Sequence, residues 1–267
     1  MNPLRKLRRR FRDAWYKRGY YIPDAFRKPI PPPRFDLIPD GFSVHHIGNT
    51  GVIAVENFCT QEEAAYLIDK ARTRLQPSSV VNPDDDSLVY NTHRKSADAG
   101  VYGYNDKDPL AQRFVERAAM LLGVPTTHAE NFPVTYYDSG DYFKEHMDAF
   151  PSFNGDRQYT VLVYLNDVGD GNGGETVFTD LGIVSKPRIC RAIIWRNYNN
   201  DGSVNMLSKH SAQPLKERAE KWVVQLGFRR YPMFEGPERK GEPELQPLSS
   251  GDALPEGVEK AADAASN

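Results

Sequence analysis

The stretch YTVLVYLNDVGDGNGGETVF, residues 159–178, holds a run of β-branched and aromatic residues, a glycine-rich segment and a second short apolar run. This composition is typical of two strands joined by a turn. The segment GDGNGG, residues 169–174, also matches the G-x-G-x-x-G pattern of dinucleotide-binding loops. That kind of site needs a helix N-terminus directly after the glycines to hold the pyrophosphate. Because the strand sequence ETVF follows instead, we interpret the glycines as a turn and exclude a dinucleotide site.

Further short strand sequences follow Phe132, namely FPVTYY, RAIIW and KWVVQLGF, and Gly, Asn, Asp and Pro residues separate them. Short strands at this spacing predict a sandwich or barrel-like β domain. Two helices are predicted upstream. One begins after Thr60, which has capping-box spacing to Glu63, and the other runs from Asp108 to Gly123. We expect both helices to support the β domain by covering one of its sheets.

The chain of 267 residues has a net charge of −2 and suits one large domain with extensions. We expect a basic arm and proline-rich connector over residues 1–42. The main domain is expected over residues 43–234, with helical support at about 59–123 and a β core at about 130–230. The Pro-, Gly-, Ala-, Ser- and Glu-rich segment 235–267 is expected to be a disordered acidic tail.

Composition also limits location and partners. No apolar run is long enough to cross a membrane, and no apolar signal-peptide core follows the basic N-terminus, so no membrane partner is expected. Two cysteines, Cys59 and Cys190, are too few for a disulfide framework and favour a reducing compartment, which predicts a cytoplasmic location. Eight Lys and Arg residues lie within residues 1–20, but no nucleic-acid-binding module accompanies them, so nucleic acid is not an expected partner.

A candidate metal site lies in DYFKEHMDAF, residues 141–150, where His146 and Asp148 stand two positions apart. Side chains at i and i+2 of a strand point to the same face, so both could reach one ion, or they could simply be two polar residues on that face. His210 is the other histidine within the later β region. Two histidines and one carboxylate suit non-heme Fe(II), since coordination positions stay open for a co-substrate and O2. A structural zinc site would favour cysteine ligands, and neither cysteine has a metal-ligand neighbour.

The segments YYDSGDYFKEHMD and GGETVF, followed by a distal histidine, a proline and KW, resemble the prolyl 4-hydroxylase family of Fe(II)/2-oxoglutarate dioxygenases over roughly residues 50–230. The resemblance implies a mainly β fold with supporting helices and a double-stranded β-helix (jelly-roll) core. It also implies that the protein uses Fe(II), 2-oxoglutarate and O2, with L-ascorbate keeping the iron reduced. Hydroxylation of an unactivated C–H bond, most simply in a prolyl or other residue of a peptide or protein, would then release succinate and CO2.

The resemblance assigns roles to particular positions. The implied iron ligands, which are also the catalytic residues, are His146, Asp148 and His210. The residues implied to bind 2-oxoglutarate are Lys221 and Tyr137, at its distal carboxylate, and Thr160, which would line the same pocket. Arg94, in HRKSADAG, matches a residue on the substrate side. Each of these last four could instead have a purely structural role. Lys221 could be an exposed strand lysine, Tyr137 and Thr160 could be core-facing strand residues, and Arg94 could be a surface arginine in a polar loop.

Two departures from the family pattern are visible. Lys221 lies eleven positions after His210 rather than ten, and a second tryptophan common in peptidyl-proline hydroxylases falls here at or near Gly227. Two alternatives therefore stay open. One is a hydroxylase of the same chemistry that acts on a small molecule, and the other is a jelly-roll binding protein that holds a metal without turnover.

Overall fold

The structure is a computed structural model that describes residues 37–38, 42–81, 88–90, 92–102, 108–149, 157–230, 232–233, 246–247 and 258–260. Its two described α-helices are α1, Gln61–Arg72, and α2, Pro109–Leu122, and three short 3-10 helices are Thr126–His128, Thr179–Leu181 and Met206–Ser208. The first part of the chain contributes the strands β1 (Leu37–Ile38), β2 (Ser43–His46), β3 (Ile53–Glu56), β4 (Leu75–Pro77), β5 (Val80–Val81), β6 (Leu88–Val89), β7 (Arg94–Lys95) and β8 (Ala97–Tyr102). The later strands are β9 (Phe132–Tyr137), β10 (Tyr142–His146), β11 (Arg157–Tyr164), β12 (Thr176–Phe178), β13 (Ile183–Ser185), β14 (Ala192–Arg196), β15 (His210–Ala212), β16 (Lys221–Arg229), β17 (Gln246–Pro247) and β18 (Val258–Lys260).

Two large antiparallel sheets form the domain, and β1–β17 and β5–β6 are separate two-stranded sheets. The larger has the strand order β2-β3-β14-β11-β16-β9-β8-β4, and the smaller has the order β18-β13-β12-β15-β10-β7. Neighbours in space are often distant in the chain, as in the β11–β16 and β10–β15 pairs, which is the connectivity of a jelly roll rather than of a simple meander. The structure thus confirms the predicted mainly β fold with supporting helices.

The core has two layers, one on each face of the larger sheet. The alternation of β16 shows how they arise, because Trp222 and Val224 pack in the layer shared with α1 and α2, whereas Val223 packs in the layer between the two sheets. Successive strand residues point to opposite faces, so Lys221 shares the inter-sheet face with Val223. The polar residues of the candidate site therefore lie inside the jelly roll.

The helices begin and end where the sequence predicts. Thr60 caps α1, and Glu63 completes the capping box by accepting from the backbone N–H of Thr60 at 3.1 Å. Asp108 caps α2, and Gly123 ends it in the left-handed conformation. Their apolar faces cover the larger sheet, as expected.

The predicted arm and tail fall almost entirely outside the described residues. Of them, the structure describes Leu37–Ile38, residue 42, Gln246–Pro247 and Val258–Lys260. The strand β1 pairs with β17, and β18 pairs with β13 of the smaller sheet. In the described part of the chain, no helix combines the length and apolar character needed to cross a membrane.

Candidate metal and co-substrate site

The structure brings the three predicted metal ligands together inside the jelly roll. His146 ends β10 and His210 begins β15, and these neighbouring antiparallel strands place the two histidines opposite each other. Asp148 lies two residues beyond the end of β10, so it reaches the site from the following segment rather than from one strand face. One ligand atom from each residue lies within 4.8 Å of the other two. These three side chains could hold a single metal ion.

Both imidazole rings are oriented by backbone carbonyls. The Nδ1–H of His146 donates to the carbonyl oxygen of Lys144 at 2.7 Å, and the Nδ1–H of His210 donates to that of Ser208 at 2.8 Å. Because a carbonyl oxygen can only accept, Nδ1 carries the proton and Nε2 keeps its lone pair for a metal. Among the described residues, the buried Nε2 of His146 has no hydrogen-bond partner and lies 3.7 Å from Oδ1 of Asp148. A buried imidazole nitrogen without a partner is the arrangement that a metal ion would satisfy.

The protonation states of His146 and Asp148 also suit metal binding. Burial, reinforced by the neighbouring His210, lowers the pKa of His146 to about 3, so the ring is neutral at pH 7. Burial opposes the ionisation of Asp148, but electrostatic interactions with His210 and Arg157 outweigh it and lower the pKa of Asp148 to about 2. A neutral imidazole and an ionised carboxylate are the forms that bind divalent cations.

The carboxylate of Asp148 is held from one side. Thr160 Oγ1 donates to its Oδ2 at 2.7 Å, and Gln225 Nε2 donates to the same oxygen at 2.8 Å. Thr160 in turn accepts from Asn197 Nδ2 at 2.9 Å. Oδ1 is thus the oxygen that faces His146. These contacts fix the direction in which the carboxylate points and leave one oxygen directed at the site.

Aromatic rings support the histidines. Phe143 stacks on His146 with ring centroids 3.6 Å apart and planes at 14°. Trp195 and Phe178 lie 4.6 Å and 5.4 Å from the ring of His210. Trp195 is buried in the inter-sheet core, and it also restricts His210.

The second part of the site is a buried cation. Lys221 is 2% exposed, donates from Nζ to the carbonyl oxygen of Gly174 at 2.9 Å, and lies 4.3 Å from the ring centroid of Tyr137. Tyr137 and Lys221 are register partners on β9 and β16. Burial lowers the pKa of Lys221 to about 7, with Glu175 acting in the opposite direction and Arg94 in the same one. Burial likewise raises the pKa of Tyr137, which keeps its hydroxyl protonated. A buried amine with a depressed pKa is a place where an anion would be favourable.

The turn predicted at residues 169–174 holds this lysine. A Cβ on Gly173, which has φ of +80°, would lie 2.1 Å from the carbonyl oxygen of Pro214. Glycine is therefore required where the turn crosses the connection between β15 and β16. The extra residue between His210 and Lys221 falls in that connection, outside both strands. The turn glycines thus position Lys221, a use that the rejected dinucleotide pattern did not suggest.

Arg94 lies at the edge of the site, on β7 opposite Phe143 of β10. Its guanidinium lies 5.1 Å from the ring centroid of Phe143, and it donates to Ser96 Oγ at 2.7 Å and to Asp98 Oδ1 at 2.9 Å. Arg94 therefore contacts the aromatic ring that stacks on His146. Its assignment to substrate binding stays a prediction.

Two polar residues that contact Asp148 were not predicted from the sequence. Gln225 donates a hydrogen bond to Asp148. It lies four residues after Lys221 on the same strand, so strand alternation could have placed both side chains on the inward face. Arg157 lies with Nη1 3.5 Å from Oδ1 of Asp148. Strict alternation of side chains along β11 would not have placed the Arg157 side chain next to Asp148.

Residues 132–229 match the sequence profile of the 2OG-Fe(II) oxygenase superfamily, a range that includes all the predicted site residues except Arg94. Among curated proteins, the chain is 28% identical over 190 residues to probable prolyl 4-hydroxylase 3 of Arabidopsis thaliana, covering 62% of this chain and 64% of that one. It is 29% identical over 194 residues to the prolyl 4-hydroxylase subunit alpha-1 of Rattus norvegicus, covering 67% of this chain and 36% of that one. The match thus spans less than two thirds of each relative.

Among solved structures, the fold is similar to a viral collagen prolyl hydroxylase from Paramecium Bursaria Chlorella virus-1, solved as a 2OG complex, with a TM-score of 0.53 and 21% identity. That match covers 66% of this chain and 94% of the viral one. A prolyl hydroxylase from Trichoplax adhaerens, in complex with a hypoxia inducible factor oxygen degradation domain peptide fragment, gives a TM-score of 0.50 at 16% identity, covering 69% and 86%. At these identities the likeness concerns the fold, and it agrees with the jelly-roll topology described above.

Proposed function

We propose that this chain is a prolyl 4-hydroxylase-like 2OG-Fe(II) oxygenase and that it hydroxylates a prolyl or other residue of a peptide or protein, supported by the match of residues 132–229 to that superfamily. The single observation that carries the proposal is the buried Nε2 of His146, which has no partner among the described residues and faces Asp148, with His210 within reach of the same point. The jelly-roll binding protein without turnover is disfavoured because the cation expected for a co-substrate, Lys221, is also present and buried.

His146, Asp148 and His210 would hold Fe(II). When bound, the iron and 2-oxoglutarate supply the activation of O2 and the two electrons that balance hydroxylation, with succinate and CO2 as co-products. The chain contributes ligand direction through the two backbone-held imidazoles and the carboxylate fixed by Thr160 and Gln225. An Fe(II) ion held by one carboxylate and two imidazoles would keep coordination positions open for the co-substrate and O2.

Lys221 would bind the distal carboxylate of 2-oxoglutarate. Its amine is buried and its pKa is about 7 without an anion, so a carboxylate beside it would favour the charged form and raise that pKa. The hydroxyl of Tyr137, which is register partner to Lys221, would donate to the same carboxylate. Thr160 would line this pocket on the side where its hydroxyl already orients Asp148.

Further parts of the proposal concern the surroundings of the site. L-ascorbate would keep the iron reduced, and Arg94 would face the substrate. The domain would span residues 43–234, between a basic arm and an acidic tail. The buried free thiols of Cys59 and Cys190 support a reducing, cytoplasmic location.

The proposal is tested by incubating the protein with Fe(II), 2-oxoglutarate, ascorbate and a set of proline-containing peptides. We expect succinate to form and one peptide class to gain the mass of one oxygen atom. His210→Ala should abolish both products, whereas His46→Ala, which changes an exposed histidine outside the site, should abolish neither. Omission of ascorbate should reduce the number of turnovers. Binding of iron without succinate formation under any of these conditions would instead support the binding-protein alternative.

A further inference from the structure

The two cysteines of the chain line one cavity on the helical side of the larger sheet, and we name Cys59 and Cys190 the thiol pair. The cavity has a volume of about 470 Å³. Asn57, Thr60 and Gln61 also line it, and all three residues are exposed. The cavity therefore opens to solvent near the start of α1, whereas Cys59 and Cys190 are each only 6% exposed.

Backbone hydrogen bonds hold the thiol pair together. The N–H of Phe58, the residue before Cys59, donates to the carbonyl oxygen of Cys190 at 2.8 Å. The N–H of Cys190 donates to the carbonyl oxygen of Tyr164, on β11, at 2.9 Å. Cys59 directly precedes Thr60, which caps α1. The start of α1 and the turn before β14 thus bring together two cysteines that are distant in the chain.

Cys190 occupies a backbone position that favours glycine. The N–H of Arg191 donates to the carbonyl oxygen of Arg188 at 3.1 Å, which closes a turn with Cys190 at its third position. Cys190 has φ of 64°, and a positive φ at the third position is the requirement of a type II turn, where glycine is the usual residue. The variant Cys190→Gly therefore keeps the turn while it removes the thiol.

The side chains of the thiol pair interact directly. A hydrogen bond between the two thiols, together with burial, raises the pKa of Cys59, and the same hydrogen bond lowers the pKa of Cys190. Cys190 is therefore the better source of thiolate, which is the form that reacts with peroxide. Cys59 keeps its proton and lies beside Cys190, where it can react with an oxidised sulfur.

We propose that the thiol pair is a site of reversible oxidation, at which hydrogen peroxide that enters through the cavity converts Cys59 and Cys190 into a disulfide. In the first step the Cys190 thiolate attacks one oxygen of the peroxide, the O–O bond breaks and hydroxide leaves, so that Cys190 becomes a sulfenic acid. In the second step the Cys59 sulfur attacks the Cys190 sulfur, the S–O bond breaks, and the proton of Cys59 leaves with the hydroxyl group as water. The two thiols are oxidised, and one peroxide is reduced to two waters.

This reaction is independent of the metal site. The thiol pair lies in the core layer shared with α1 and α2, whereas the metal site lies between the two sheets. The disulfide would link the start of α1 to the turn before β14.

The test treats the reduced, metal-free protein with hydrogen peroxide in the presence of a chelator, which excludes iron chemistry. Remaining thiols are alkylated in denaturant and counted by intact mass and peptide mapping. Because the chain has two cysteines, each oxidation product can be identified. We expect a disulfide within one chain, seen as the loss of two hydrogen atoms and a linked Cys59–Cys190 peptide. Dithiothreitol should restore both thiols.

Two variants separate the roles of the thiols. In Cys59→Ala the sulfenic acid at Cys190 has no partner, so dimedone should trap it. In Cys190→Gly the remaining thiol, Cys59, should be lost at least about tenfold more slowly than in the wild type. Cys190→Gly should also melt at or above the wild-type temperature, because glycine suits the positive φ. In urea, Cys59 should be lost at the same initial rate in Cys190→Gly and in the wild type.

Four outcomes would each overturn the inference. They are separate sulfinic or sulfonic acids at the two cysteines, disulfides only between chains, slower disulfide formation in the native protein than in urea, and equal loss of the Cys59 thiol in native wild type and native Cys190→Gly. Because metal and 2-oxoglutarate are absent from the test, failure of the proposed function would not alter these results.

Discussion

Replacement of Lys221 by methionine should have two opposite effects, a more stable apoprotein and a weaker site for 2-oxoglutarate. Lys221 is buried inside the jelly roll, and the change of its pKa from 10.5 to about 7 measures how strongly the folded protein disfavours the charged amine. At 1.36 kcal/mol per pKa unit, this corresponds to about 4 kcal/mol of destabilisation at pH 7, where the unfolded chain carries the charge.

Removal of the buried amine should recover this stability, but part of the gain in the free energy of unfolding is offset in Lys221→Met. Methionine has a similar length but cannot donate to the carbonyl oxygen of Gly174, and an unsatisfied buried carbonyl costs about 1 to 3 kcal/mol. We therefore expect Lys221→Met to raise the free energy of unfolding by about 2 kcal/mol, or the melting temperature by roughly 4 to 8 °C. Urea and thermal unfolding without metal or 2-oxoglutarate measure this effect.

The same variant should bind 2-oxoglutarate at least about thirtyfold more weakly in a calorimetric titration with Mn(II), because a buried charge pair is lost. Lys216→Met, at an exposed position in the connection before β16, is the matched control and should change neither quantity. A Lys221→Met protein that is less stable than wild type, or that binds 2-oxoglutarate as tightly, would contradict the effects expected from the burial and charge of Lys221.

Three further predictions concern other parts of the site. Gln225→Leu removes the 2.8 Å hydrogen bond to Asp148 and should weaken Fe(II) binding about tenfold in an anaerobic metal titration, and unchanged affinity would show that the bond does not orient the carboxylate. Gly173→Ala should destabilise the fold by more than about 2 kcal/mol in urea unfolding. Gly171 also has a positive φ, but a Cβ there would have no neighbouring atom within 4 Å, so Gly171→Ala should reduce the free energy of unfolding by less. Equal reductions in the two variants would contradict a clash between the Cβ at position 173 and the carbonyl of Pro214. Because 2-oxoglutarate favours charged Lys221, its affinity should be constant below pH 7 and fall as the pH rises above 7. Calorimetry in buffers of different ionisation enthalpy should show proton uptake at pH 8, and no uptake would contradict the depressed pKa.

The parts of the fold that sequence could predict are those with local signals. Capping residues at Thr60 and Asp108 located both helices, and β-branched and aromatic runs located the strands of the core. The grouping of His146 with His210 depends on a long-range pairing between β10 and β15, for which the local pattern gives no register. The resemblance to a known family supplied that pairing before the structure did.

Some placements in the site depend on features without a local signature. Asp148 was predicted as a ligand from alternation along one strand, but it reaches the site from beyond the strand end, and Arg157, which was not predicted, reaches it only because a bulge adds one residue to β11. The strict alternation rule gives neither result, since a bulge reverses the face of every residue on one side of it. Gly173 illustrates a third case, because its requirement for glycine arises from contact with a proline carbonyl of a distant connection.

The proposed function requires that His146, Asp148 and His210 hold Fe(II) together with 2-oxoglutarate. The most direct measurement is the visible charge-transfer band of the Fe(II)–2-oxoglutarate chelate in the anaerobic protein, with His146→Ala and His46→Ala as test and control. We expect a band in the wild type and in His46→Ala that is absent in His146→Ala. A well-folded wild type without a band, or a band that persists in His146→Ala, would contradict it.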